Sequence, residues 1–78
     1  MTDFNSGPQQ QGTHHFVLTV QKLSGSVMQI GTWEGHCTPP PGLSRHDVYR
    51  WLMQEHNRTH PRLAGGAVIF FDLAPNHL

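Results

Sequence analysis

The sequence predicts a small α+β domain of ββαβ order: a three-stranded antiparallel sheet with one helix on one face. Three observations carry this: two β-branched runs around Ser24-Gly25-Ser26, one capped amphipathic stretch from Ser44, and an apolar run from Ala67 to Leu73. A short turn makes the first two strands antiparallel neighbours, and the helix is then the crossover to the third. Right-handed crossover sense gives the strand order 2-1-3, with the third strand antiparallel to the first.

The first strand starts at His15, where H-F-V-L-T-V-Q is β-branched or aromatic almost throughout. Residues 1–13 are polar, with Gly7-Pro8 and Gly12, and read as a disordered tail, leaving 14–78 as a single domain. Val27 to Glu34 is the return strand. Thr38-Pro39-Pro40-Pro41-Gly42 then stops the ladder, because proline has no N–H to donate.

Ser44 is a good N-cap, and Asp47 lies where its carboxylate reaches back to complete a capping box. Leu43 and Val48 have the spacing of a hydrophobic staple. Val48, Trp51 and Leu52 form an apolar stripe, widened by Tyr49 and Met53. Pro61 pushes His60 out of the α region, so the helix is expected to end near Asn57. Arg62 to Gly66 is a loop, Ala67–Leu73 the last strand, and Ala74-Pro75-Asn76 its end.

Register decides which side chains the helix covers. A three-residue turn over Ser24-Gly25-Ser26 pairs Leu23 with Val27, Val20 with Ile30 and Leu18 with Thr32. Met28 and Ile30 then join Leu18 and Val20 under the helix, whereas a two-residue turn mixes Gln29 and Gly31 into that face. On the three-residue register the open face carries Val17, Thr19 and Trp33. In the last strand Ala67, Ile69, Phe71 and Leu73 form one set, and Val68 and Phe70 the other. Either choice leaves a phenylalanine, Phe70 or Phe71, beside Trp33.

A chain of 78 residues buries only about 60–65% of its unfolded surface, so a partner would supplement its core. Cys37 is the sole cysteine, which excludes an internal disulfide and fits a reducing cytoplasm. The N-terminus has no secretory pattern, and no apolar run approaches membrane-spanning length. Five Lys+Arg balance five Asp+Glu, so the basic excess typical of nucleic-acid binding is missing.

"HHFVLTVQ", "PPGLSRHDVY" and the terminal "VIFFDLAPNHL" resemble a group of small actinobacterial proteins. These share a Val-Leu-x-Val strand, a Pro-Gly-x-[Ser/Thr]-Arg helix start and a Phe-Phe-x-Leu-x-Pro-Asn terminus. The likeness covers most of residues 14–78. It implies the domain outline, and no activity comes with it.

Seven histidines invite a metal. His56 and His60 have i, i+4 spacing, but Pro61 places His60 outside the helix, and His56 falls in the apolar arc as a half-buried neutral group. His14 and His15 approach His36 across the hairpin's open end and are the nearest to a ligand set. No native metal site or other cofactor is expected, since no CxxC or HExxH pattern occurs. His36 and Cys37 are adjacent and point to opposite faces of a strand, which disfavours a thiol–imidazole pair. Ser44 is accounted for by capping, and so small a chain offers little pocket volume.

These residues point to a non-enzymatic interaction module, a homodimer or an adaptor for a larger protein, whose interface is Val17, Thr19, Trp33, Phe70 and Phe71. Histidine-based metal binding is the second reading and single-stranded nucleic-acid binding the third. An alternative cover for the open face is the tail itself, through Phe4. The helix start generates the first prediction: Ser44→Ala lowers unfolding stability by about 0.5–2 kcal/mol, measured by denaturant titration.

Overall fold

The computed structural model describes residues 11–78. The chain forms β1 (His14–Ser24), β2 (Val27–Cys37), α1 (Arg45–Thr59), a short 3-10 turn (Pro61–Leu63) and β3 (Ala67–Pro75). The sheet is antiparallel with order β2-β1-β3, as expected. The parts of the tail over residues 1–10, including the proposed role of Phe4, lie outside the described residues. Residues 11–13 belong to the fold. Gly12 is buried, the Thr13 carbonyl accepts from the Asn76 N–H at 2.8 Å, and the Thr13 N–H donates to the Thr38 hydroxyl at 3.2 Å.

Ser44 and Asp47 form the reciprocal capping box, each side chain accepting the other's backbone N–H at 3.1 Å. The helix runs two residues past Asn57, to Thr59. Pro61 constrains only the residue directly before it, and His60 leaves the helical region with φ −129° and ψ 69°. One face of α1, from Val48 through Leu52 to His56, is buried on the sheet. Trp51, expected in that stripe, is 42% exposed.

The hairpin turn has two residues, Gly25 and Ser26, and Ser24 pairs with Val27. Gly25 has φ 64° and Ser26 a negative φ, the type II′ pattern that suits the twist of the flanking strands. This overturns the expected register by one residue and so inverts the faces of β2. Leu18 lies opposite Trp33, Val20 opposite Gly31 and Phe16 opposite Gly35. Met28 and Ile30 are therefore on the open face, and Trp33 is under the helix.

Two physical terms favour this arrangement. The three-residue register would have carried Glu34 and His36 under the helix with Met28 and Ile30, and a buried carboxylate without a partner is costly. In the observed register, Trp33 and the buried Cys37 lie on the core face of β2, and the glycines on either side of Trp33 make room for Phe16 and Leu63. A Cβ on Gly35 would lie 3.2 Å from the Phe16 ring, and one on Gly31 would lie 2.6 Å from Leu63 Cδ1. Trp33 meets Phe16 edge-on with ring centroids 4.8 Å apart.

β3 breaks strict alternation. Thr19 pairs with Phe70 and Val20 with Val68, so Ile69 is an extra residue in a bulge. Past the bulge, Phe71 and Leu73 face the helix and pack on the core of Phe16, Cys37, Val48 and Leu52. Tyr49 meets the Phe71 ring edge-on at 4.9 Å, and the Arg45 guanidinium lies 4.8 Å from its centroid. Phe71 therefore joins Trp33 on the covered face, whereas the sequence left it as a candidate for the open one. An apolar last strand needs no second covering layer for that residue.

Because Trp33 packs in the interior, its loss acts on the fold. Trp33→Ala is expected to cost about 2–4 kcal/mol of unfolding free energy, near the lower end for aromatic truncation because the ring is only partly buried. Chemical denaturation of both proteins checks this.

Candidate functional site

The open face is built from alternate residues of each strand. Of the five expected interface residues, Val17, Thr19 and Phe70 lie on it, and Trp33 and Phe71 do not. Sequence reasoning missed Met28 and Ile30, which the two-residue turn turns outward. The signal available was the Gly31-x-Trp33-x-Gly35 pattern, in which one large side chain flanked by glycines marks a close-packed face.

The face has two halves. Near the hairpin turn it is mostly apolar: Leu23 pairs with Met28, and Ile30 and Phe70 lie beyond them on the two edge strands, with Gln21 and Thr19 of β1 between. These side chains are 61%, 48%, 60% and 53% exposed respectively, and Ile69 in the bulge is 52% exposed. Thr19 sits between the edges, its hydroxyl bonded to that of Thr32 at 2.9 Å. The far half is polar. Val17 has Glu34 on one side and Asp72 on the other, and His15 stands opposite His36. His15 Nε2 bonds Glu34 Oε1 at 3.1 Å.

The histidines divide between faces. His14 has the opposite parity from His15, pairs with Cys37, and has its Nδ1 2.8 Å from the Thr13 hydroxyl. It therefore does not join His15 and His36. His36 Nδ1 accepts the Gly12 N–H at 2.9 Å, so the neutral ring carries its proton on Nε2. Among the described residues no three ligating side chains are grouped to hold a metal ion.

His56 is more deeply buried than expected, at 1% exposure. Its ring stacks on that of His60, with centroids 4.9 Å apart and planes 9° from parallel, and both rings tilt against Trp33. In near-parallel rings the in-plane nitrogen lone pairs do not converge, which is the wrong geometry for chelating one ion. His56 Nδ1 lies 3.4 Å from Asn57 Oδ1, an acceptor that also takes the Gly65 N–H, so Nδ1 carries the proton. His56 Nε2 is buried without a hydrogen-bond partner among the described residues.

Cys37 is buried, and burial raises its thiol pKa, which favours the unreactive protonated form. Register places His36 and Cys37 on opposite faces. The Ser44 backbone N–H, and then its hydroxyl contact, hold the Asp47 carboxyl below its ordinary range. A shallow cleft of about 330 Å³ lies by the helix start, lined by His14, Pro39, Pro40, Leu43, Arg45 and Val48 among others. Its one guanidinium is engaged with Phe71, through the ring and through the carbonyl at 3.4 Å. No helix among the described residues is long and apolar enough to cross a membrane.

No family model, curated protein or solved structure matches this chain.

Burial lowers the His56 pKa, because desolvation disfavours the imidazolium. The unfolded chain then takes up this proton at a higher pH than the folded one. Stability from His56 is complete above the unfolded value, about 6.5, and is lost as pH falls below it toward the folded value. Melts between about pH 7.5 and 5.5 should show falling stability, with a shallower slope in His56→Leu.

Proposed function

We propose that this chain is a non-enzymatic protein-interaction module that docks a partner on the open sheet face. The observation that carries this is the mostly apolar half of that face, where Leu23, Met28 and Ile30 cluster on one side, Phe70 lies across Thr19 and Gln21 on the other, and all four are about half exposed or more. Apolar patches larger than a few hundred Å² are uncommon on monomers and tend to mark interfaces. A phenylalanine can bury about 150–250 Å² on docking, and hot spots are small clusters of such side chains.

Two features favour a protein over a nucleic acid. The open face carries Glu34 and Asp72 beside Val17, which repel phosphate. Lys22, the one lysine of the chain, is bound to the Ala64 carbonyl at 2.7 Å. The partner is a second copy or a larger protein, and a cytoplasmic setting suits the lone thiol.

Phe70→Ser and Ile30→Ser test the proposal. Each should weaken association by about ten-fold or more, as hot-spot truncation does, with an unchanged circular dichroism spectrum. The readouts are sedimentation of the pure protein and capture of partners from the source cell, wild type beside variant. Equal association by wild type and both variants would remove the open face as the docking surface.

A further inference from the structure

The two edges of the sheet are unlike. β3 interrupts its ladder with the bulge at Ile69 and ends in Pro75, two devices that discourage a further strand. β2 has neither. It pairs with β1 over all eleven residues without a register shift and contains no proline, lysine or arginine. A long regular edge of this kind is a template for strand addition.

The turn tells which backbone groups this edge offers. Ser24 and Val27 flank a two-residue turn and form a hydrogen-bonded pair, and such pairs alternate along the ladder. Gln29, Gly31, Trp33, Gly35 and Cys37 therefore spend their N–H and C=O on β1. Met28, Ile30, Thr32, Glu34 and His36 direct theirs away from the sheet. All five of these residues are exposed, and no described residue pairs with their outer side.

We propose that β2 is the docking edge for a second copy of this chain, the two β2 strands pairing antiparallel about a two-fold axis at Thr32. This goes beyond the open-face reading above: it names a second copy as the partner and places the contact on the edge strand. Thr32 is the midpoint of β2, so centring the axis there overlaps Val27–Cys37 completely with its symmetry mate and makes about ten main-chain hydrogen bonds. Glu34, the only formal charge on β2, then lies opposite Ile30 of the other copy and not opposite its own mate. On the covered face Trp33 stands opposite the other copy's Gly31, large against small. The chain carries no net charge to drive copies apart.

The paired edge also matches the open face. The outward main-chain groups belong to the same residues whose side chains line that face, so pairing joins two open faces into one six-stranded platform. Each edge is about 37 Å long and about one sheet layer, 10 Å, thick, or very roughly 370 Å² per copy in projection. Doubled, that is below the roughly 1,200 Å² at which standard interfaces begin, so the dimer should be weak and concentration-dependent.

Three measurements on the full chain test this. Sedimentation from micromolar to millimolar protein should show a monomer–dimer equilibrium. Amide exchange at Ile30, Thr32 and Glu34 should slow with concentration, while Gly31 and Trp33 stay protected throughout. That odd–even signature belongs to edge pairing and does not arise from docking on a face. Thr32→Pro removes an outward N–H without touching the β1 ladder, and should weaken dimerisation about ten-fold or more. Should it fold poorly, Thr32→Lys sets two like charges across the axis and should do the same, with Thr32→Val as the neutral control.

A wild type that is monomeric throughout overturns the edge proposal and leaves the open-face reading to the Phe70→Ser comparison. A dimer that survives Thr32→Pro and Thr32→Lys but is lost in Phe70→Ser also overturns it, in favour of docking through the face. Loss on changing Thr32 with retention in Phe70→Ser supports it.

Discussion

The two-residue turn at Gly25-Ser26 sets the register on which the rest of the sheet depends. Strand side chains alternate, so one residue more in the turn would move every β2 side chain to the other face. With Ser24 opposite Val27, Trp33 lands over Leu18, and Glu34 and His36 stay in water. The local preference of glycine for positive φ and the global need to keep a carboxylate out of the core agree here. Such agreement between levels is what makes a register unique.

Trp33 is then the piece around which the small interior is arranged. It touches Phe16 on β1 and leans on His56 and His60 at the end of α1, tying the edge strand to the helix. The glycines beside it leave room for the Phe16 ring and for Leu63. His56 is the one buried polar side chain among the described residues, and burial opposes its charge. The pH sensitivity expected of the fold comes from the same packing that holds the helix down.

The open face has no such agreement between sequence and cover. Its polar half is internally satisfied, with His15 bound to Glu34 and His36 to Gly12, while its apolar half has no described cover. The edge strand next to it leaves a regular row of main-chain groups unpaired. Both features lie on β2 and its neighbours, and both are what the proposed partner would cover, one through side chains and one through backbone. The bulge at Ile69 marks the opposite edge as the one this fold closes off.

Much was legible in the residues alone. The strand order 2-1-3, the single helix, its capping box at Ser44 and Asp47, and the burial of Val48 and Leu52 follow from local signals that a few neighbouring residues define. The faces of β2 and β3 were not legible in that way. Counting apolar residues favoured Met28 and Ile30 for the core, because it weighed each side chain singly and left out Glu34 at the other end of the same strand. Only the assembled sheet decides that one tryptophan between glycines fills the space better. Only it reveals the extra residue at Ile69, which returns Phe71 to the interior and leaves Phe70 outside. Alternation is a local rule, but its phase is set by turns, bulges and the cost of burying charge, and those terms exist only once the strands have met.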